Sequence, residues 1–140
     1  MHSFSGIFRK LGSDLFPEFC VFSGSDSLAL QTMQKGAAGA ITATANVSVT
    51  LLSYIVNNAN DETMVSNLDL AHILLDKIRN LVFSQEQISF MKAILKIKTK
   101  NDIWGTVMPP LISLDNAENN NNIIETMKLL DEMDELSSNF

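Results

Sequence analysis

Two short apolar runs, separated by a helical pattern, constrain the fold of this chain more than any other feature. The first run covers residues 19–23 and the second residues 40–43, and neither alternates regularly between apolar and polar side chains. Short continuous runs of this kind are typical of strands buried in a parallel sheet. A helix is predicted between them across 27–35, and Gly36 is a natural C-terminal stop for it. Parallel strands joined through a helix form a β-α-β unit, so the sequence predicts an α/β fold.

Apolar residues at helical spacing dominate the rest of the chain. The pattern predicts helices over 48–58, 67–83, 85–98 and 122–137. Residues 99–121 form a long connection that contains consecutive prolines. Side chains that accept hydrogen bonds from first-turn backbone N–H groups are expected to cap these helices. The predicted caps are Ser48, Ser66 with Asp69, Ser84 with Gln87, and Asn122 with Glu125.

Size, charge and cysteine content exclude several classes of protein. The chain has 140 residues, which is enough for one domain with a hydrophobic core. The net charge is −6 and no basic stripe is present, so nucleic acid and anionic membrane surfaces are poor partners. No run of about 18 apolar residues occurs, so no membrane span is expected. Cys20, the only cysteine, is expected to be a buried thiol, and with no basic-then-apolar leader the chain is expected to be cytoplasmic.

Two segments near the predicted strands carry a resemblance to a known family. Residues 22–26 read Phe-Ser-Gly-Ser-Asp, and residues 36–41 read Gly-Ala-Ala-Gly-Ala-Ile. An S-G-x-D segment followed at this spacing by G-x-x-G-x-I resembles the seventh and eighth strands of the dihydrodipicolinate synthase and N-acetylneuraminate lyase family. Residues 44–47, which read Thr-Ala-Asn-Val, extend the match. Residues 107–111 resemble the family's R-x-P-L segment, with Met108 where arginine is common.

The resemblance covers about residues 5–115 and implies part of a (β/α)₈ barrel. The fold class implied is α/β, a partial TIM barrel made of the last two β-α units and followed by three C-terminal helices. Residues 1–60 would hold strands seven and eight with their helices, and residues 61–140 would form a C-terminal helical region. Members of this family are class I aldolases. A lysine at the end of the sixth strand forms a Schiff base with pyruvate or another 2-oxo acid, a tyrosine transfers protons, and no cofactor is needed.

The resemblance implies that Gly24, Asp26 and Ile41 line the substrate pocket. Gly24 and Asp26 follow a strand, where barrel enzymes place their chemistry, and Asp26 matches a family position that contacts substrate hydroxyls. Ile41 matches a position whose backbone carbonyl faces the 2-oxo acid, while its side chain is expected in the core. A structural alternative stays open, in which Gly24 only permits a tight turn and Asp26 or Ser25 only caps the following helix.

No lysine in this sequence matches the Schiff-base lysine of the family, either because it was lost or because the chain starts just past it, so no catalytic residue is predicted. If residues 5–6 correspond to the end of the family's K-D-S-S-G segment, His2 stands where the lysine belongs, and an imidazole does not form this imine. Lys10 and Lys35 are the lysines considered as substitutes. A structural role is favoured for Lys35, because a cation is stabilised at a helix C-terminus. Tyr54, the only tyrosine, lies in a predicted helix and is not a candidate for proton transfer.

Two hypotheses from different classes follow. In the first, the chain is the C-terminal fragment of a pyruvate-dependent Schiff-base lyase, inactive alone or active only with a separate N-terminal half. In the second, it is a non-catalytic helical module for homo-oligomerisation or partner binding. An adjacent reading frame that encodes the missing strands would favour the first, and a stable oligomer of this chain alone would favour the second. No metal site is predicted, since His2 and His72 share no Cys/His cluster.

Overall fold

The computed structural model of the protein describes residues 20–114 and 116–137, and helices make up most of it. The strands and α-helices, in chain order, are β1 (Phe22–Ser23), α1 (Ala29–Met33), β2 (Gly39–Ala40), α2 (Ala45–Asn58), α3 (Val65–Phe83), α4 (Gln87–Thr99) and α5 (Asn121–Ser137). Short 3₁₀ turns cover Asp26–Leu28, Glu62–Met64, Asp102–Gly105 and Ala117–Asn119. The predicted order of strand, helix, strand and then helices is therefore confirmed.

The two strands form a parallel pair, in which Phe22 lies opposite Gly39 and Ser23 lies opposite Ala40. Each strand is only 2 residues long, so the strands predicted over 19–23 and 40–43 are too long. The first strand ends at Ser23, as predicted, but begins only at Phe22, and residue 19 lies outside the described residues. The second strand ends at Ala40 instead of continuing to residue 43. Cys20 precedes the paired residues and is exposed, so the prediction of a buried thiol is wrong.

The helix predicted across 27–35 is divided and shorter. A 3₁₀ turn leads into α1, which ends at Met33. Gly36 has a φ of +89°, a left-handed conformation that favours glycine because other residues carry a Cβ atom. Gly36 therefore stops this segment as the sequence predicted.

The helix predicted to begin at Ser48 begins three residues earlier, at Ala45. Ser48 is buried inside α2 and has a non-helical φ of −124°, which kinks the helix. Its Oγ donates a hydrogen bond to the carbonyl oxygen of Thr44 at 2.9 Å. Ser48 is therefore a kink residue, not a cap, because its hydroxyl bonds backward to the preceding turn.

The other predicted helices are present, but their predicted caps are wrong. Met64 and Glu86 occupy the N-cap positions of α3 and α4 without a side-chain hydrogen bond, so neither Ser66 nor Ser84 caps a helix. Ser84 instead follows the last residue of α3 and donates to the carbonyl oxygen of Leu81 at 2.8 Å. At the start of α5, Asn120 replaces the predicted Asn122. Its Oδ1 accepts from the backbone N–H groups of Asn122 and Ile123 at 3.0 and 3.3 Å.

The core lies among α2, α3, α4 and α5, which pack against one another. Its large, fully buried apolar side chains come from all four helices, namely Ile55, Leu75, Ile78, Val82, Phe90, Ile94 and Leu130. The core thus joins residues on both sides of position 60, and the division into regions 1–60 and 61–140 stays a prediction. Among residues 20–114 and 116–137, no helix has the length and apolar character needed to cross a membrane.

The core predicts a large difference between two isoleucines of α4. Replacing buried Ile94 by alanine should lower the free energy of unfolding by about 2–5 kcal/mol, because it removes buried methyl groups and leaves a cavity. Ile88→Ala, at a side chain that is 51% exposed, is the matched control and should change it by less than about 0.5 kcal/mol. Urea denaturation followed by circular dichroism measures both. Equal losses for the two variants would contradict this position of the core.

Candidate functional site

The carboxyl ends of the two strands lie side by side and define the candidate site. The backbone N–H of Ile41 donates to the carbonyl oxygen of Ser23 at 2.8 Å, one step beyond the last paired residues. Gly24 follows Ser23 directly, and Asp26 begins the 3₁₀ turn after it. The structure therefore brings Gly24, Asp26 and Ile41 to the same edge of the sheet, as the parallel pairing predicted. Their role in binding a substrate stays a prediction.

Asp26 is the charged residue at the centre of this edge. Its side chain is buried, with 2% of the residue exposed, and its Oδ1 accepts a hydrogen bond from Thr42 Oγ1 at 2.6 Å. Burying a carboxylate is unfavourable unless hydrogen bonds compensate for the lost water. No side-chain hydrogen bond from Ser25 caps the turn, and Asp26 lies within the turn itself. The structural alternative in which either residue is only a helix cap is therefore wrong.

Thr42 is the site residue that the sequence analysis missed. It lies next to Ile41 just beyond β2, and its hydroxyl crosses to a residue 16 positions earlier in the chain. Successive residues of an extended chain point to opposite sides, so Thr42 faces Asp26 while Ile41 points away. The side chain of Ile41 is 72% exposed, so its predicted place in the core is wrong. The sequence signal that could have identified Thr42 was the alternation of side-chain direction in an extended chain, which turns Thr42 to the side opposite Ile41.

Gly24 leaves open space in front of the strand end. A Cβ atom added to Gly24 would meet no described atom within 4 Å, and its φ lies outside the left-handed range. Neither crowding among the described residues nor backbone strain therefore requires glycine at this position. The structure therefore gives no reason to interpret Gly24 as a residue that only permits a tight turn.

Buried hydroxyl groups surround the same edge. Ser23 Oγ donates to the carbonyl oxygen of Ser25 at 3.0 Å, beside the start of the 3₁₀ turn. Thr44, at the N-cap of α2, is fully buried, and its Oγ1 has no hydrogen-bond partner among the described residues. An unpaired buried hydroxyl group lowers the stability of the fold, because it has lost its hydrogen bonds to water. The hydroxyl of Thr44 therefore makes this end of the sheet unusually polar for a buried region.

The other residues considered from the sequence lie away from this edge or outside the described part. Lys35 is exposed just after α1. Tyr54 lies in α2, where its hydroxyl contacts Met64 Sδ at 3.8 Å. His72 Nε2 lies 3.9 Å from Asp76 Oδ2 on α3.

Residues 1–19, with His2 and Lys10, lie outside the described residues. In the described part, no group of three or more His, Cys, Asp or Glu side chains could hold a metal ion.

A separate acidic cleft of about 230 Å³ lies between α1, the end of α2 and the start of α3. Thr63 donates to Asp61 Oδ1 twice, from its hydroxyl at 2.6 Å and from its backbone N–H at 2.8 Å. These hydrogen bonds, the hydroxyl first, lower the pKa of Asp61 from its ordinary value because they stabilise the carboxylate. None of the predicted site residues lines the cleft, whose lining residues are Leu30, Gln34, Ala59, Asn60, Asp61, Glu62, Val65, Leu68 and Asp69.

Parallel strands, each followed by a helix, with polar residues at their carboxyl ends, are the arrangement of barrel enzymes. The structure superposes with a TM-score of 0.73 on N-acetylneuraminate lyase from Fusobacterium nucleatum, a TIM-barrel lyase whose crystal structure contains pyruvate. The sequence identity is 19%, and the match covers 95% of this chain and 42% of that one. The fold is therefore that of part of such a lyase.

The sequence comparison gives the family. Residues 7–129 match the Dihydrodipicolinate synthetase family, so the chain belongs to that family and the resemblance predicted from the sequence is confirmed. A 4-hydroxy-tetrahydrodipicolinate synthase from Methanosphaera stadtmanae is 34% identical over 83 residues, which are 59% of this chain and 27% of the relative. The chain thus spans less than half the length of each of these two relatives.

The hydrogen bond between Thr42 and Asp26 predicts a specific loss of stability. Thr42→Val should lower the free energy of unfolding by about 1–3 kcal/mol, because the buried carboxylate loses its hydroxyl donor. Thr42→Ser keeps the hydroxyl and should stay closer to the wild type. Thr50→Val, at an exposed threonine of α2, is the matched control and should have little effect. Urea denaturation measures all three, and a valine variant as stable as the wild type would contradict the role of this bond.

Proposed function

We propose that this chain supplies the last two β-α units and the C-terminal helices of a Schiff-base lyase that acts on pyruvate or another 2-oxo acid. The observation that carries the proposal is the buried Asp26 carboxylate at the strand ends, held by Thr42 beside the open space at Gly24. A carboxylate in this position is costly for stability, which a binding role would explain. The relative from Fusobacterium nucleatum, which contains pyruvate, supports a 2-oxo acid as the ligand class.

Each strand-end residue has a part in this proposal. The Asp26 carboxylate, fixed through Oδ1 by Thr42, accepts a hydrogen bond from a hydroxyl group of the aldehyde portion of the substrate. The backbone N–H of Ile41 bonds Ser23, which holds Ile41 at the strand end, and its backbone carbonyl is assigned to the 2-oxo acid because of the family resemblance. Gly24 leaves the room that the substrate occupies. The residues that would decide between substrates lie mostly on the other strands of a complete barrel.

The chain by itself is proposed to be inactive. Class I chemistry requires a lysine amine that attacks the carbonyl carbon of the 2-oxo acid, with loss of water, to form an imine. The lysine amine and the proton-transferring tyrosine belong to earlier strands of the family's barrel, so they are proposed to come from a separate N-terminal half. The proposed location is the cytoplasm, where the exposed thiol of Cys20 would stay reduced.

The alternative is a non-catalytic helical module for oligomerisation or partner binding. Such a module requires the helical core but not a buried carboxylate with a dedicated hydroxyl partner. The Asp26–Thr42 pair therefore favours the lyase proposal over the module.

Borohydride reduction in the presence of pyruvate tests the proposal. The chain alone should give no covalent adduct by intact mass measurement, because no lysine occupies the Schiff-base position. When it is mixed with a polypeptide that carries the first six β-α units of a family barrel, a stoichiometric adduct should form on the lysine of that polypeptide. An adduct on Lys10 or Lys35 of this chain would overturn the assignment, and a mixture with neither a compact complex nor an adduct would favour a decayed fragment.

Variants of Asp26 separate binding of the 2-oxo acid from binding of the aldehyde in the same mixture. Asp26→Asn should preserve the pyruvate adduct but reduce cleavage or condensation, since Asp26 is assigned to hydroxyl groups of the aldehyde portion. Asp102→Asn, at an exposed carboxylate paired with Lys96, is the matched control. It should change neither the amount of pyruvate adduct nor the cleavage or condensation activity. Equal activity of the two variants would remove Asp26 from the proposed pocket.

A further inference from the structure

Hydrogen bonds are distributed unevenly between the two oxygens of Thr44, at the start of α2. The carbonyl oxygen accepts from three donors at 2.9 Å, which are the backbone N–H groups of Val47 and Ser48 and the hydroxyl of Ser48. A carbonyl oxygen has two lone pairs, so one of these donors is in excess. The hydroxyl oxygen is fully buried and has no partner among the described residues. One residue therefore carries both a crowded acceptor and an unused one.

The backbone conformation of Thr44 explains this imbalance. A threonine at the N-cap of a helix is usually extended, and its hydroxyl accepts from the N–H of the second or third helical residue. In α2 these residues are Asn46 and Val47. Thr44 instead has a φ of −68° and a ψ of −16°, which are helical values, and its side chain makes no capping hydrogen bond. Thr44 thus has the position of a helix cap without its conformation.

Rotation of the Thr44 backbone into the extended region would remove the imbalance. The change is mainly in ψ, from −16° to about +100° or more. The Thr44 hydroxyl would then accept from the N–H of Val47, while the carbonyl oxygen keeps the N–H of Ser48 in a regular helical hydrogen bond. A threonine cap of this kind typically favours folding about fivefold.

The hydrogen bond between Thr42 and Asp26 opposes this rotation. Only Ala43 separates Thr42 from Thr44, so a rotation of the Thr44 backbone swings Thr42 relative to α2. Thr42 Oγ1 lies 2.6 Å from Oδ1 of the buried Asp26 carboxylate, and a short hydrogen bond to a charged group tolerates little movement. Thr42 therefore holds Asp26 at the cost of leaving the Thr44 hydroxyl without a partner.

We propose that the segment from Thr42 to Ser48 is a switch with two states. In the first state, which is the one in the structure, Thr42 holds Asp26 and Thr44 is uncapped. In the second state Thr44 caps α2 and Thr42 releases Asp26. A hydroxyl group that takes Oδ1 of Asp26 binds only the second state and shifts the chain towards it. That this hydroxyl belongs to the substrate rests on the proposed function, whereas the switch itself is a property of the fold.

A double-mutant cycle on the 140-residue chain tests the switch by urea denaturation. In the wild-type background, Thr44→Val should leave the folding equilibrium constant unchanged or raise it, since it removes a buried hydroxyl that has no partner. In the Thr42→Val background the same change should lower the constant about fivefold, because Thr44 then caps α2. Thr50→Val, at an exposed threonine of α2, is the matched control and should have the same small effect in both backgrounds.

The backbone conformation of Thr44 can be measured directly by nuclear magnetic resonance. Its Cα and Cβ chemical shifts should indicate a helical backbone in the wild type and an extended backbone in Thr42→Val. Thr44→Ser keeps the hydroxyl, so in the Thr42→Val background it should preserve both the extended backbone and the folding equilibrium constant. These measurements need neither pyruvate nor a separate N-terminal half, so their failure would leave the proposed function intact.

An additive cycle would overturn the proposal, because the contribution of the Thr44 hydroxyl would then not depend on Thr42. Thr44 chemical shifts that stay helical in Thr42→Val would overturn it as well. So would a large loss of stability from Thr44→Val in the wild-type background, since the hydroxyl would then have a partner in the first state. Asp26→Asn weakens the same hydrogen bond from its other end, and it replaces Thr42→Val in the cycle if circular dichroism shows that Thr42→Val is unfolded.

Discussion

Burial of the apolar face of α3 is the interaction on which the rest of the structure depends. Leu75, Ile78 and Val82 pack among the neighbouring helices, and each fully buried side chain of this size contributes about 1.5–3 kcal/mol. The sheet is a single pair of strands with 2 residues each, and an isolated pair of strands is at best marginally stable in water. The strands therefore keep their register because the helices that follow them are fixed in the core, and the geometry of the strand-end residues follows from that packing.

The sequence predicted the parts of the fold that follow from long periodic patterns. The apolar spacing in α3 and α4 is repeated over several turns, so each helix buries one continuous apolar face against the core. The positive φ of Gly36 was predictable for a different reason, since glycine adopts that conformation without steric cost. Family membership was recognised from two short segments whose spacing, rather than either segment alone, was specific.

Single side chains that choose among several hydrogen-bond partners were not predictable. Ser48 could cap a helix or bond backward to Thr44, and both uses fit the same local sequence. In the structural alternative, Asp26 accepts from the backbone N–H groups of its own turn, but it accepts from Thr42, which is distant in sequence. Periodicity carries no information about such a contact, because it depends on the register between the two strands. The same limit applies to Ile41, since burial of a residue at the end of a short strand depends on what lies beside the sheet.

The kink at Ser48 divides α2 into two parts with different surroundings. The first turn begins at the strand-end edge, whereas the body contributes Leu51, Leu52 and Ile55 to the core. An unbroken helix would transmit any change of direction at one end to the other end. Because the regular backbone is interrupted between them, the direction of the first turn is set independently of the direction of the body. The interruption therefore lets the first turn of α2 leave the strand-end edge in one direction while the body of the helix follows the core in another.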